Sequence, residues 1–379
     1  AQAQVAVSNI RPVQRVGSKM GDIDYDVTGT TSPVTVALQI SADGGSTWTV
    51  PATTLTGAIG SNVTPGTNLR ITWNSGADWN QQLSSYMKFR VSVTETVPTG
   101  FALIPAGSFT MGNSVAADTD ISSAPAHTVT VSAFYMAKNL VTKADWDMVR
   151  TWAISNGYTD LAAGSGKAST HPVQKISWYQ MVKFCNARSQ KEGLTPVYYT
   201  NDAQTTVYKT GDVNVTNAQV KWAANGYRLP TEAEWEKAAR SGSSGKRFPW
   251  GDTISQTQAN YYGSTSGVSY DLGPNGYSSS WNASGYPYTS PVGSFAVNGY
   301  GLNDMAGNVW QWCWDWYGTY DTASPTDPRG VSSGSNRVIR GGGWGSDADY
   351  CRVAYRNYFG NPSDASDDIG FRVARSSVP

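Results

Sequence analysis

Arg340-Gly341-Gly342-Gly343-Trp344 and Gly370-Phe371-Arg372-Val373-Ala374-Arg375 bracket the stretch that decides how the rest of the chain is read. Both ends combine glycines with apolar residues and arginines, the composition of buried strands that clamp a loop between them. Positions 345–368 contain no Lys, Glu, Gln, Met or Trp. What they carry is small, acidic and aromatic: Ser346, Asp347, Asp349, Tyr350, Tyr355, Asn357, Tyr358, Phe359, Asp364, Asp367 and Asp368. Rigid aromatics interleaved with adaptable polar groups make recognition surfaces, and ring stacking with hydroxyl hydrogen bonds also suits sugars. These residues form the candidate ligand-binding set, with Trp344 expected in the core.

Working outward, the chain has 379 residues, too many for most single cores, so two domains are expected. Lys and Arg number 28, as do Asp and Glu, and the net charge is zero. That excludes the basic field that nucleic acid or an anionic membrane requires. With 15 Trp, 21 Tyr and 39 Gly against 15% charged residues, the balance is that of loop-rich secreted proteins. Ala1-Gln2-Ala3-Gln4 reads as a start left by signal-peptide cleavage, so a secreted or cell-surface location is expected. No apolar run reaches the roughly eighteen residues of a membrane span. Three cysteines, Cys185, Cys313 and Cys351, allow at most one disulfide.

Residues 5 to about 96 alternate with period two, within a first domain set at 1–96. Val34, Val36, Leu38 and Ile40 share one strand face, and Met87 to Val93 repeats the pattern. Short strands parted by Gly, Ser, Thr and Pro turns predict a small all-β immunoglobulin-like sandwich. Within it, Ser41-Ala42-Asp43-Gly44-Gly45-Ser46-Thr47-Trp48 resembles the Asp-box of sialidases, a structural hairpin in which the Asp ties the turn. Residues 97–100 read as the linker through their Pro and Gly, and 101–379 as the second domain.

There, Phe101 to Gly112 predicts a strand and tight turn, and Thr128 to Tyr135 one further strand. Thr142 caps a helix that buries Trp146, Val149 and Ala153 and stops at Gly157; Ser177 caps another that buries Trp178, Met181, Val182 and Cys185. Thr231 and Glu234 form a capping box for a third. Residues 241–299 show little periodicity, and a loop of that length calls for an organiser such as bound calcium.

Seven segments now stand in order: Ile104 to Gly112, Tyr227 to Trp235, Phe248 to Gly251, Asn298 to Leu302, Gly307 to Trp312, Arg340 to Trp344 and Gly370 to Ala374. Together they resemble the motifs of formylglycine-generating enzymes across residues 101–375. The resemblance implies an α+β fold, a C-type lectin-like variant with short helices and long loops. Those enzymes bind copper(I) through two cysteines that follow the glycine turn. Here Cys351 matches the second, while the first is Ser346 and the serine of the turn is Gly343. A hydroxyl is a hard, poor copper(I) ligand, so copper and the oxidase activity are not expected. Calcium is expected from the same resemblance. One site maps to Asp304, Gly307, Val309 and Gln311, where the amide replaces the usual Glu; a second maps to Asn260 and Tyr261 with oxygens near Ser284 and Tyr286. Iron-dependent relatives need closely spaced histidines, whereas His127 and His171 lie far apart and read as backbone-bonded structural residues. Cys185 and Cys313 read as buried small hydrophobes.

The run 345–368 also resembles the variable region of diversity-generating-retroelement proteins, which display mutable side chains on the same fold. Two functional readings from the resemblance compete. One is a recognition or adhesion protein that binds a protein or carbohydrate partner. The other is an oxidase with an altered centre at Cys351. Assembly into an extracellular layer or fibre is a third, suited to the zero net charge.

Overall fold

The computed structural model describes residues 5–29, 33–283 and 285–377. Residues 1–4, 30–32, 284, 378 and 379 lie outside the description, as do the side chains of Glu95, Tyr286, Pro287 and Phe359. The expected processed start at Ala1 to Gln4, the expected Ser284 oxygen and the Phe359 side chain therefore fall outside it too. The chain divides after Val97 into two compact units.

The first unit contains β1 (Ala6–Gln14), β2 (Met20–Thr28), β3 (Val34–Ser41), β4 (Leu55–Gly57), β5 (Gly60–Val63), β6 (Gly66–Asn74), the single turn α1 (Ser75–Asp78) and β7 (Lys88–Glu95). Its strands form two antiparallel sheets, β1-β2-β6-β4 and β5-β3-β7. Alternation decides the core: Ile23, Tyr25, Ile71 and Trp73 of one sheet meet Val34, Val36, Ile40 and Val91 of the other. At the Asp-box-like hairpin, Asp43 accepts from the Thr47 amide at 2.8 Å and its hydroxyl at 2.7 Å. Those bonds hold its carboxyl well below the usual range, and the role is structural.

The second unit begins with β8 (Phe101–Ile104), β9 (Gly107–Met111), β10 (His127–Val131) and β11 (Phe134–Ala137). The strand expected over 128–135 is thus two. Ser132 breaks it, its amide and hydroxyl turned to the Asp327 carboxylate at 2.6 and 2.7 Å. The helices α2 (Lys143–Ile154), α3 (Trp178–Lys191) and α4 (Glu232–Arg240) carry side-chain caps at Thr142, Ser177 and Thr231 as expected. Trp146 of α2 stacks on Phe184 of α3 at 4.9 Å, and Phe371 meets both edge-on. The closing end of the decisive stretch is thereby fastened to the helices.

A two-residue hairpin, β12 (Asn282–Ala283) with β13 (Tyr286–Pro287), precedes β14 (Trp310–Trp316), β15 (Arg337–Arg340), β16 (Arg356–Gly360), β17 (Ile369–Gly370) and β18 (Ala374–Ser376). The sheet that matters for function runs β16-β15-β14-β17, with β17 parallel to β14. Arginines lock it to α4: Arg340 bonds Glu236, and Arg356 holds Glu232 at 2.5 Å, with all four side chains buried. Removing any one would leave the buried charges of the network under-compensated, so this network fixes how helix and sheet meet. Part of residues 241–299 has ties of its own. Asp271 accepts from the Tyr261 hydroxyl at 2.5 Å and the amides of Ser264 and Gly273, inside a cluster of Phe248, Ile254, Tyr261 and Tyr270.

Candidate functional site

Four strands bring one residue each to the same place. Trp310 of β14 pairs with Ile369 of β17, and Ile339 of β15 pairs with Asn357 of β16. The loop 361–368 rises beside them, so Asp364, Ala365, Ser366 and Asp368 face Trp310, Ile339, Asn357 and Ile369 across an open depression of about 430 Å³. Tyr350 and Tyr355 extend its aromatic flank: each lies 6.2 Å from Trp310, and they meet edge to face at 5.0 Å. The wall is acidic, and both arginines nearby in sequence are committed elsewhere, Arg352 to Asp118 and Asp120 and Arg356 to Glu232.

The sequence-derived set divides on this surface. Asp347, Tyr358, Asp364 and Asp367 are exposed; Trp344, Asp349, Tyr350, Tyr355 and Asp368 are half-buried. Ser346 and Asn357 are buried, a correction to the expectation of a continuous display surface. Ser346 is drawn in because its hydroxyl accepts the Gly343 amide at 2.9 Å. Asn357 lies within β16, paired with Ile339 of β15. Trp344 is only partly core, its indole N–H donating to the Asp367 carbonyl at 3.2 Å. Trp310, Ile339 and Ile369 were missed, because the parallel pairing that assembles them is a long-range contact with no periodic signal.

Cys351 does not face the depression. It is fully buried beneath Gly342, where an added Cβ would approach the sulfur to 2.6 Å, among Phe248, Ile254, Tyr261 and Ala348. Burial pushes its thiol well up, away from the thiolate that metal binding and redox chemistry use. Cys185 and Cys313 are buried free thiols as well. His127 sits at a strand start against the Pro125 carbonyl at 2.9 Å, and buried His171 bonds the Thr289 hydroxyl at 2.9 Å.

Asp304 lies buried at a left-handed φ of 54°, accepting from the Gly293 amide at 3.0 Å and from Asn308 at 3.3 Å. Burial pushes its pKa up, and no ion-pair partner holds its carboxylate among the described residues. Gln311 turns its amide oxygen to Trp235 at 2.9 Å and Arg372 at 2.6 Å, and its nitrogen to the Asp304 carbonyl. With both lone pairs engaged, that oxygen is not offered to a cation. Asn260 donates to the Tyr288 carbonyl, its own carbonyl accepts the Asn308 amide, and the Tyr261 carbonyl accepts from Gln256. No group of three or more His, Cys, Asp or Glu placed to hold a metal occurs among the described residues.

The sulfatase-modifying factor enzyme 1-like domain, taken as a family, matches residues 88–377. The chain belongs to that family. Its relatives include the chaperone protein LppX of Paenibacillus barcinonensis, 33% identical over 291 residues that cover 74% of this chain and 91% of LppX. The formylglycine-generating enzyme of Mus musculus is 31% identical over 307 residues, 76% of this chain and 77% of the enzyme. Among solved structures, Treponema denticola variable protein 1 superposes with a TM-score of 0.55 and 31% identity, covering 75% of this chain and 98% of its own. The α+β, C-type lectin-like fold of the sulfatase-modifying factor family is therefore that of the second unit. In this member the Gly343, Ser346 and Cys351 turn is packed shut, while a depression opens over the Trp310 strand positions.

Proposed function

We propose that this member of the family is a secreted or cell-surface recognition protein that binds a protein or carbohydrate partner at the Trp310 depression, without oxidase activity. The observation that carries the reading is the contrast of the two places. An open depression is lined by Trp310, an amide and acids, whereas the one thiol of the family pair is sealed in an apolar cluster. Such a surface binds by ring stacking and hydrogen bonds rather than by bond-making. Similarity to a variable protein of Treponema denticola supports binding as the use of the scaffold. No helix among the described residues is long and apolar enough to cross a membrane.

Calcium belongs to this reading in a reduced form. The buried Asp304 carboxylate, lacking a paired cation, and the carbonyls of Gly307 and Val309 are oxygens a hard cation takes, with Gln311 contributing none. Such an ion would hold the segment before β14 in place.

The test is a binding screen of the whole protein against arrays of glycans and of extracellular proteins, repeated with Ala365→Trp. Ala365 is exposed in the loop wall, so the indole occupies the depression while the fold is kept. Any partner found should bind at least about tenfold more weakly to this variant, about 1.4 kcal/mol. Turnover of a cysteine-containing sulfatase peptide by the copper(I)-loaded protein would overturn the reading.

A further inference from the structure

The first unit contains a second, larger concavity that the proposed function does not use. It measures about 640 Å³ and lies where the end of β1 parts from β7. Its floor is apolar: Ile23 and Trp73 of the first sheet and Phe89 of the second, with Trp73 and Phe89 edge to face at 6.3 Å. Gly21 of β2 keeps the space open. It stands between Gln14 and Trp73 in the strand register, and a Cβ there would reach the Trp73 ring at an ordinary 3.7 Å. Glycine within a strand marks a place where something approaches the backbone closely.

The rim is mixed, with the exposed apolar Val13 and Leu83 standing beside polar groups. Gln14, Gln81 and Gln82 bring amides, and Ser75 and Ser84 bring hydroxyls. The two ionic residues at the edge are already engaged, Asp22 with Arg15 at 2.8 Å and Lys19 with Asn80 at 2.5 Å. Among the described residues, the Gln81 and Gln82 amides and the Trp79 indole N–H have no hydrogen-bond partner. Gln81 is also held at a φ of 60°, a left-handed conformation rare for glutamine.

These features narrow the ligand class. A cation finds Asp22 already paired with Arg15, and an anion finds only the Lys19 ammonium, which already bonds Asn80. A wholly apolar ligand would cover the amides and hydroxyls without satisfying them, at about 1–3 kcal/mol for each group so buried. A neutral oligosaccharide meets both demands, its C–H faces against Trp73, Trp79 and Phe89 and its hydroxyls on the glutamines. The volume lies within the roughly 300–1,000 Å³ of small-ligand sites and exceeds one sugar ring. We infer that the pocket between β1 and β7 is a binding site for a neutral oligosaccharide of more than one residue, separate from the Trp310 depression.

Isothermal titration of the full chain with cellotriose, maltotriose and triacetylchitotriose tests this. At least one should bind at one site per chain with a Kd of about 1 mM or tighter. Gly21→Val, which fills the space with a residue strands accept, should weaken it at least tenfold, and so should the exposed double change Gln81→Ala with Gln82→Ala. Thermal melting checks that both variants fold. Absence of binding by all three sugars overturns the inference. So does binding unaffected by the folded variants, or displacement of a bound sugar by an uncharged apolar peptide at lower concentration.

Discussion

Gly342 stands at a φ of +72° directly over the Cys351 sulfur, and this close approach helps to seal the thiol. Any side chain at 342 would be strained by the backbone and would press on the sulfur. Gly342→Ala should therefore destabilise the second unit by about 2–3 kcal/mol, measured by urea unfolding. The buried thiol, its pKa pushed up by desolvation, predicts a labelling result. Iodoacetamide at neutral pH should leave Cys351 unmodified in the native protein and alkylate it once urea unfolds the chain, as read by peptide mass spectrometry. Rapid native labelling would contradict the sealed site. Asp315 makes a different residue-scale prediction. Burial first, and the nearby Glu232 charge second, raise its pKa to about 8. The folded state then holds a proton that the unfolded chain releases near pH 4. Its stabilising contribution is complete below that pH and is lost as pH rises towards about 8, at up to about 1.4 kcal/mol per unit. Asp315→Asn keeps a neutral acceptor for the Glu232 amide, which Asp315 now bonds at 2.7 Å. The variant should flatten the decline in urea midpoint between pH 5 and 8.

At the scale of elements, α4 and the β14–β15–β16 sheet depend on each other through buried charge. Arg340 is fully buried and also bonds the carbonyls of Val353, Ala354 and Tyr355, so it orders the connection that leads into β16 as well as pairing Glu236. Arg340→Met should cost about 3–5 kcal/mol, because Glu236 keeps only Arg240 as a cation. Elements with local determinants were legible in the sequence. The caps at Thr142, Ser177 and Thr231 rest on contacts within one turn, and the strand faces of Val34 to Ile40 on alternation alone. What was not legible depends on distant partners. Asp327 breaks the strand at Ser132 from almost two hundred residues away. Asp271 and the aromatics Phe248, Tyr261 and Tyr270 tie part of the 241–299 loops without a sequence period to announce them. The functional site divides along the same line. The composition of 345–368 marked a recognition surface, but Ser346 and Asn357 are buried, and Trp310, Ile339 and Ile369 join through strand pairings that no local pattern announces.

At the scale of the molecule, two units with separate cores should melt as two transitions. The first unit is held by Ile23, Tyr25, Ile71 and their partners, the second by the aromatic helix core and the α4 network. Each cluster is made of residues from its own unit, so scanning calorimetry should resolve two endotherms, and Ile71→Ala should lower only one of them. Calcium separates them in the same experiment. If Asp304 with the Gly307 and Val309 carbonyls takes the ion, adding it at about a hundred times its Kd should stabilise the second unit by about 2.7 kcal/mol and leave the first where it was. Asp304→Asn removes the charge while keeping an oxygen for the Gly293 amide, and should abolish the shift. A shift that persists in that variant would assign the ion to another place. An equal shift of both endotherms would reflect general salt effects instead of a site, because the buried Asp304 carboxylate, without an ion-pair partner among the described residues, lies in the second unit.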